Sequence, residues 1–350
     1  MLNGKHVLIA NTPGIGDLLM LTPALRRLKE LYPRCILSVV SYAGNLPLVE
    51  RLPYVDAVYG IEKGKFLGRF RPAAHFFSQD WCIFTTWNPQ LAILARLFRV
   101  PHRAGVCRAG KGSLMGFHHT LPPDVWDAKD GESKAAFLAR QVFGAIGIQE
   151  TIDEACDISA PSADEKTTVM TMLAAKGLDI ARGYAVIAPF AKTARSLPVS
   201  LIGAVVDYVF ETYGVPCVMV NGIRVQTAQA LSNRISMGRL FDLSGETNLM
   251  ELAAVLQGAK AALVTDSGPM HMACALGTPT VAVFSTGNWR QWAPKRNCHL
   301  VTLDLPCSPC EKETAEACQT QQCIRDITVE MLAKELDVCM QSSVKNEKIG

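Results

Sequence analysis

Residues able to bind an anion are concentrated in the stretch Leu263–Pro279. A buried strand, a polar loop and a helix are expected to follow one another here, with Asp266, Ser267 and Gly268 at the helix N-terminus. Backbone N–H groups and the positive end of the helix dipole suit a diphosphate at such a position. The pattern therefore predicts an anion-binding loop that includes His271. The alternative is structural, since Asp and Ser also cap helices and His271 could be an ordinary half-buried helix residue.

A second candidate is the turn Asn11–Asp17, which joins a predicted strand to a predicted helix. Gly14 and Gly16 let the chain turn tightly, and Asp17 opens the helix. A carboxylate here could accept a proton from a substrate hydroxyl as a general base, or it could satisfy the free N–H groups of the helix as an N-cap. A dinucleotide fingerprint would need glycine where Leu19 stands, which argues against an NAD enzyme.

Two basic residues, Lys192 and Arg195, lie in the loop Ala191–Pro198 after another predicted strand. A cation at this end of a strand can neutralise a departing diphosphate, and a guanidinium can do so through two parallel hydrogen bonds. The alternative is a solvated basic loop. No Asp stands two residues from another Asp, so the D-x-D arrangement that holds Mg²⁺ against phosphates is missing. We therefore expect catalysis to require no metal ion or other cofactor.

Four of the twelve cysteines lie close together near the end of the chain. Their spacing, C-x₂-C-x₇-C-x₄-C, is compatible with a tetrahedral thiolate site for structural Zn²⁺ or iron. The alternative is that reduced thiols simply pack. The four residues are Cys307, Cys310, Cys318 and Cys323.

Short apolar runs alternate with amphipathic stretches on both sides of these motifs, which favours parallel sheets covered by helices. In the first half, strands are expected at His6–Ala10, Ile36–Ser41 and Ala57–Ile61, with helices over residues 17–31 and 46–52. In the second half, strands are expected over 184–189, 216–221, 261–265 and 280–284, with helices over 200–212, 225–235 and 249–257.

The length of 350 residues fits two domains. We expect an α/β fold with two Rossmann-like, doubly wound domains facing across a cleft, because open α/β sheets bind ligands beyond the carboxyl ends of their strands. The segment Asp153–Lys166 is rich in Ser, Ala, Pro, Asp and Glu and is predicted to link the domains. The expected divisions are residues 1–165, residues 166–335 and a C-terminal tail over 336–350.

The composition favours a globular chain and excludes some classes of protein. Hydrophobic residues make up 49% and charged residues 19%, and a net charge of +3 does not demand a nucleic-acid partner. The first residues lack the apolar region of a secretory signal, and no stretch reaches about 18 uninterrupted apolar residues, so we expect a cytoplasmic protein.

Basic residues are unevenly placed, with a cluster between Arg96 and Lys111. Arg103, Arg108 and Lys111 in this cluster would suit the carboxylates and phosphates of an acceptor. A solvated basic surface is the alternative.

With these motifs in place, the chain resembles glycosyltransferase family 9, the ADP-heptose:lipopolysaccharide heptosyltransferases. The opening pattern of that family is matched by Gly14–Asp17 and Thr22–Leu25. Its hallmark, D-[ST]-G-x-x-H-x-A-x-A-L-G-x-P, is matched throughout Asp266–Pro279, and Asp242–Leu252 also follows the family's pattern. The likeness covers nearly the whole chain.

The resemblance implies a GT-B fold, an N-terminal domain for the acceptor and a C-terminal domain for the nucleotide sugar. It also implies ADP-heptose as donor, the inner core of lipopolysaccharide as acceptor, and inversion at the anomeric carbon. Asp17 takes the position of the general base. The donor-binding loop corresponds to Asp266, Ser267, Gly268 and His271.

Two positions depart from the family's pattern. Arg195 stands where the family usually has Lys, with Leu197 in place of a Trp, so the charge is kept. Gln226 stands where the family often has a Glu that contacts the nucleotide's ribose, and an amide can still hydrogen-bond a hydroxyl there. Some related protein heptosyltransferases are similar in binding iron at a cysteine segment like that of this chain.

Two alternatives to heptose transfer onto lipopolysaccharide remain open at this point. The same donor chemistry could act on a protein or another glycan, or the chain could be a noncatalytic sugar-nucleotide-binding module. Contact with the cytoplasmic face of the inner membrane is compatible with a lipid-linked acceptor.

Overall fold

The computed structural model divides the chain into two compact units, Met1–Ser159 and Ala160–Gly350. Each unit contains a six-stranded parallel sheet. Residues 63–77, 106–118, 121–128, 192–194, 223–230, 232–233, 236, 311 and 348–350 lie outside the described residues.

In the first unit the strands lie in the order β3-β2-β1-β4-β5-β6. They are β1 (His6–Ala10), β2 (Ile36–Tyr42), β3 (Ala57–Ile61), β4 (Trp81–Phe84), β5 (His102–Gly105) and β6 (His119–Thr120). The described helices are α1 (Ile15–Leu31), α2 (Pro89–Leu97) and α3 (Lys134–Ala145), with a 3₁₀ helix at Ala43–Leu48.

In the second unit the strands lie in the order β12-β11-β10-β7-β8-β9. They are β7 (Ala185–Ala188), β8 (Cys217–Met219), β9 (Leu240–Asp242), β10 (Ala262–Thr265), β11 (Thr280–Val283) and β12 (Cys298–Val301). The described α-helices are α4 (Ala163–Ala175), α5 (Val199–Tyr213), α6 (Leu249–Gln257), α7 (Gly268–Ala275), α8 (Trp289–Trp292), α9 (Lys312–Ala317), α10 (Gln322–Arg325) and α11 (Val329–Glu347). A 3₁₀ helix lies at Ile180–Arg182.

The buried apolar runs form strands as expected. Val7, Leu8 and Ile9 of β1 are buried although they point alternately to both faces, because β1 lies between two strands and is covered on both sides. The predicted helix over 46–52 is wrong. The structure has a 3₁₀ helix at Ala43–Leu48 instead, with Pro47 inside it, where its ring and missing N–H oppose an α-helix.

The strand order reverses once in each sheet. In the first unit the chain runs outward from β1 through β3 and then returns to β4 on the other side of β1. In the second unit the chain runs outward from β7 through β9 and then returns to β10, which lies on the other side of β7. Loops that leave two such neighbouring strands diverge over opposite faces, which opens a crevice at the carboxyl ends of the strands.

Helix α1 continues through Pro23, and the residue before it explains how. Proline has no N–H to donate to the carbonyl of Leu19 four residues earlier. The hydroxyl of Thr22 donates to that carbonyl at 2.6 Å instead. The same hydroxyl accepts the backbone N–H of Asp157 at 2.8 Å. Thr22 and Pro23 therefore have a structural role, since the Thr22 hydroxyl hydrogen-bonds the distant segment around Asp157 to α1.

The segment around Asp157, expected as a linker, is hydrogen-bonded to the first unit. The carboxylate of Asp157 pairs with Arg26 and accepts the Tyr54 hydroxyl at 2.6 Å. Burial and the bond to Asp157 raise the pKa of Tyr54 far above its usual range. A capping box formed by Ser162 and Glu165 begins α4 soon afterwards.

Helix α11 begins at Val329 and runs to Glu347. Leu332, Leu336, Cys339 and Met340 belong to the core of the second unit. The tail predicted from residue 336 therefore starts inside a packed helix, whose apolar side chains recur at helical spacing on one face. Among the described residues, no helix is both long enough and apolar enough to cross a membrane.

Replacement of the Asp157 carboxylate should destabilise the first unit. Asp157→Ala leaves Arg26 and the Tyr54 hydroxyl without their shared acceptor. Hydrogen bonds to charged groups contribute about 1.5–3 kcal/mol each, and partial exposure reduces this, so we expect a loss of about 2–3 kcal/mol in the free energy of unfolding. Urea denaturation followed by circular dichroism measures it.

Glu50→Ala is the control, because Glu50 is an exposed acid of the same unit. It should change the free energy of unfolding by less than about 0.5 kcal/mol. An equally small loss for Asp157→Ala would contradict the structural role of this carboxylate.

Candidate active site

Asp17 lies at the switch point of the first sheet, in the loop and helix that follow β1. The N-cap of α1 is Gly14 and Asp17 is the third helical residue, so the structure does not support the alternative that Asp17 caps the helix. Its side chain is 17% exposed, and Oδ1 lies 3.4 Å from the Nζ of Lys134. A partly exposed carboxylate at this end of the strand, next to a lysine, lies where a general base could receive the proton of a substrate hydroxyl.

Sequence reasoning missed Lys134. It is the first residue of α3, and Ser133 begins that helix by accepting the N–H of Ala136 at 3.1 Å. Lys134 stands far from Asp17 along the chain, so no local spacing connects the two. Only the packing of α1 against α3 brings them together.

Polar side chains after β1 and β4 hold the loop that precedes Asp17. The side-chain amide of Asn11 donates to the Thr85 hydroxyl at 3.1 Å. The Thr12 hydroxyl lies 3.2 Å from that of Thr86 and accepts the amide of Asn88 at 3.4 Å. The sequence analysis did not single out these residues, although a run of Thr and Asn directly after a buried strand indicates polar side chains at the carboxyl end of a sheet.

The predicted acceptor contacts are only partly described. Arg103 is buried, and its guanidinium donates to the carbonyl of Val100. Burial, followed by the charge of Arg96, lowers the pKa of Arg103. This environment favours a structural role for Arg103 over direct contact with an acceptor. Arg108 and Lys111 lie outside the described residues.

In the second unit, Arg195 and Asp266 meet at the switch point between β7 and β10. Nη1 of Arg195 donates to Oδ2 of Asp266 at 2.8 Å, and the two side chains are 30% and 11% exposed. The guanidinium carries five N–H donors in a planar fork, and this pairing fixes its orientation while leaving it accessible to solvent. Lys192 and Gln226 lie outside the described residues.

The loop that begins α7 has the expected order of strand, turn and helix. Ser267 is the N-cap by backbone position, but its hydroxyl donates to the Thr265 carbonyl at 2.9 Å and makes no capping bond. Helix α7 begins at Gly268, which has no side chain of its own. These features suit the approach of an anion to the helix end.

His271 is buried in α7, with its ring edge-on to Trp292 at 6.4 Å between centroids. Helix α8, which follows β11, therefore packs against α7. The sequence analysis did not include α8 in the site.

Gly287 in the loop after β11 is required by Asp266. A Cβ at position 287 would overlap Oδ2 of Asp266 and lie 3.3 Å from its Cγ. Glycine at this position lets the backbone pass close to the carboxylate that orients Arg195.

The four clustered cysteines make contacts within the second unit, and their thiols lie near one another. Cys310 donates its thiol to the carbonyl of Cys307 at 2.9 Å, and the sulfur of Cys318 accepts the N–H of Gln321 at 3.4 Å. Burial and then the neighbouring cysteines raise the pKa of Cys323. In the described parts of the chain, no group of three or more His, Cys, Asp or Glu is arranged to hold a metal ion. The Zn or Fe site stays a prediction, and no chemical step is assigned to it.

The family model described as glycosyltransferase family 9 (heptosyltransferase) matches residues 213–320. This range contains the loop of Asp266 and His271. Lipopolysaccharide heptosyltransferase 3 of Escherichia coli is 25% identical over 298 residues, which cover 79% of this chain and 84% of that protein.

The solved structures that are similar to this chain include two members of the same group of enzymes. The glycosyl transferase family 9 protein from Veillonella parvula DSM 2008 has a TM-score of 0.82 at 17% identity, covering 98% of this chain and 99% of that one. The E. coli ADP-heptose LPS heptosyltransferase II has a TM-score of 0.71 at 20% identity, covering 97% and 99%. These likenesses confirm the GT-B fold class.

Substitution of Gly287 tests whether the position of Asp266 matters for anion binding. Gly287→Ala should displace the Asp266 carboxylate and disturb its bond to Arg195. We expect affinity for ADP, used as the probe in isothermal titration calorimetry, to fall about tenfold, or roughly 1.4 kcal/mol.

Gly44→Ala is the matched control, because a Cβ there meets no atom within 4 Å. It should leave ADP affinity within about twofold. Unchanged affinity for Gly287→Ala would show that the position of Asp266 does not govern anion binding.

Proposed function

We propose that this chain, which belongs to glycosyltransferase family 9, transfers heptose from ADP-heptose to the inner core of lipopolysaccharide with inversion at the anomeric carbon. The observation that carries the proposal is the placement of its charged groups. A carboxylate suited to act as a base lies at the switch point of one sheet, and an oriented guanidinium lies at the switch point of the other.

In the proposed reaction, Asp17 accepts the proton of an acceptor hydroxyl. The hydroxyl oxygen forms a bond to the anomeric carbon from the face opposite ADP, and the bond from that carbon to the diphosphate breaks. A single displacement of this kind inverts the anomeric configuration. The exposed fraction of Asp17 and its ion pair with Lys134 support the role, since the base must be charged and within reach of a substrate.

Arg195 is proposed to stabilise the departing diphosphate. Its orientation comes from Asp266, and a preorganised cation stabilises developing charge without having to move. The N-terminus of α7 at Ser267 and Gly268 adds backbone N–H groups to the same task. Lys192 is proposed to add a second cation on the basis of the sequence alone. This arrangement supplies the positive charge that a D-x-D-bound Mg²⁺ would otherwise provide, so we propose metal-independent chemistry.

His271 and Gln226 are proposed to contact the donor away from the reacting bond. His271 is fixed by its helix and by Trp292, which suits a specificity contact. Gln226 is assigned to the ribose by its place in the sequence.

The acceptor assignment rests on the relatives. Lipopolysaccharide heptosyltransferases of E. coli and Salmonella typhimurium are similar over most of this chain. Arg108 and Lys111 remain our candidates for the phosphates and carboxylates of such an acceptor.

We also propose that the protein works in the cytoplasm and contacts the membrane that carries its acceptor. The outer face of α2 supports the membrane contact, because Ile93, Arg96 and Leu97 are exposed on it and the exposed Arg99 follows its C-terminus. Between Asp80 and Asp124 the sequence has no acidic residue. An apolar and basic surface of this kind suits anionic lipid headgroups.

The role of Asp17 is tested by Asp17→Asn, which keeps the shape of the side chain and removes its basicity. Loss of general base catalysis should lower kcat by about 10² to 10⁴, with ADP affinity within about twofold of the wild type. Asp80→Asn is the control, because Asp80 also pairs with a lysine of the same unit and lies in no proposed site. Its kcat should stay near the wild-type value, and an unchanged kcat for Asp17→Asn would remove Asp17 from the mechanism.

The donor and acceptor are tested by a screen in which nucleotide release is coupled to mass spectrometry of the product. ADP-heptose with a lipopolysaccharide core acceptor should release ADP and add the mass of one heptose. UDP- and GDP-sugars should react at least about tenfold more slowly. Transfer to a protein or another glycan alone would favour the alternative acceptor. A noncatalytic module would be favoured if the protein bound ADP but released no ADP from ADP-heptose in the presence of any acceptor tested.

A further inference from the structure

We infer that Lys134 is a positioning residue that holds the carboxylate of Asp17 in the orientation needed for proton transfer. The inference rests on the proposed function, because it assigns a partner to the proposed base. Lys134 contacts Asp17, and we infer that it affects the reaction only by orienting the Asp17 carboxylate.

The two charged groups come from different helices of the first unit. Asp17 lies in the first turn of α1 and Lys134 begins α3, and these helices pack against each other through their buried faces. The side chains are 17% and 14% exposed, and the Nζ to Oδ1 distance is 3.4 Å. A pair so largely withdrawn from solvent is screened less than a surface pair and restricts both side chains.

Lys134 is itself held in place by its neighbours. Its Nζ lies 4.9 Å from the centroid of the Phe137 ring, and the guanidinium carbon of Arg140 lies 5.5 Å from the same ring. Arg140 in turn pairs with Glu132 at 2.7 Å. Although burial opposes ionisation of Glu132, hydrogen bonds from Arg140 and from the N–H of Lys129 hold its pKa below the usual range. The ammonium group thus sits in a supported position rather than at the end of a free side chain.

The location of Lys134 is unfavourable for helix α3 alone. A cation in the first turn of a helix opposes the helix dipole, and the first turn of α3 contains no acidic residue that would compensate. Asp17, in the first turn of α1, supplies the negative charge from outside the helix. The pairing explains why a lysine stands at this helix start.

The contact also selects between the two oxygens of Asp17. Lys134 engages Oδ1, so we assign Oδ2 as the atom that accepts the proton. Without the ammonium group the carboxylate could rotate, and a misplacement of about 1 Å can cost about 10²-fold in rate.

The experiment measures kcat and the donor KM for Lys134→Met in the wild-type and Asp17→Asn backgrounds. In the wild-type background kcat should fall about 10- to 100-fold while the donor KM stays within about twofold. In the Asp17→Asn background Lys134→Met should cause no further fall, because it acts through the carboxylate. Lys134→Arg keeps the charge and should restore kcat to within about fivefold of the wild type.

Lys29→Met is the matched control. Lys29 lies in the last turn of α1, pairs with Asp56 at 2.6 Å and is 20% exposed, so its loss removes a comparable ion pair from the opposite end of the same helix. Its kcat should stay within about twofold of the wild type. Circular dichroism melts of all variants report folding, and Lys134→Gln replaces the Met variant if the latter does not fold.

A wild-type kcat for Lys134→Met, or an equal fall in both backgrounds, overturns the inference. These results are distinguishable from failure of the proposed function. If Asp17→Asn retains wild-type kcat, then the base assignment fails, whereas an inactive Asp17→Asn with a fully active Lys134→Met refutes the role of Lys134 alone.

Discussion

Each sheet of this protein is parallel and reverses its strand order once, and the charged residues of interest follow the strands at that reversal. Asp17 follows β1, whose neighbour across the reversal is β4. Arg195 follows β7, and Asp266 follows β10. Parallel strands place all their following loops at one edge, and only at the reversal do those loops diverge enough to leave room for a ligand. This constraint on the chain path determines where chemistry is possible in each unit.

The structure keeps these charged groups in place by pairing each carboxylate with a cation from elsewhere in the unit. Asp17 meets Lys134, and Asp266 meets Arg195. Since a partly buried charge is costly without a partner, both carboxylates depend on packing between elements far apart in sequence. Gly287 shows how tightly one of these sites is built, because any side chain there would collide with Asp266.

The sequence predicted the parallel strands, the two-unit α/β class and the position of both charged loops, because buried apolar runs and Gly-Asp turns are local signals. Strand His6–Ala10 and helix Leu249–Gln257 have their predicted bounds. Lys134 and Gly287 could not be found in this way, since their roles arise from contacts between separate elements. Arg103 shows the opposite difficulty, because this basic residue is expected at the surface from the sequence, whereas in the structure it is a buried residue of β5 that donates to a backbone carbonyl. The tail predicted from residue 336 overlooked the helical spacing of Leu336 and Met340, because polar residues follow them in the sequence.

The proposed reaction is a single displacement that inverts the anomeric carbon of heptose, and the anomeric configuration of the product is the most informative measurement of it. The product of a reaction with a lipopolysaccharide core acceptor would be purified, and its new anomeric centre assigned by NMR from its one-bond carbon–proton coupling. We expect one added heptose whose anomeric configuration is opposite to that of the donor. An added heptose that retains the donor's configuration would rule out a single displacement.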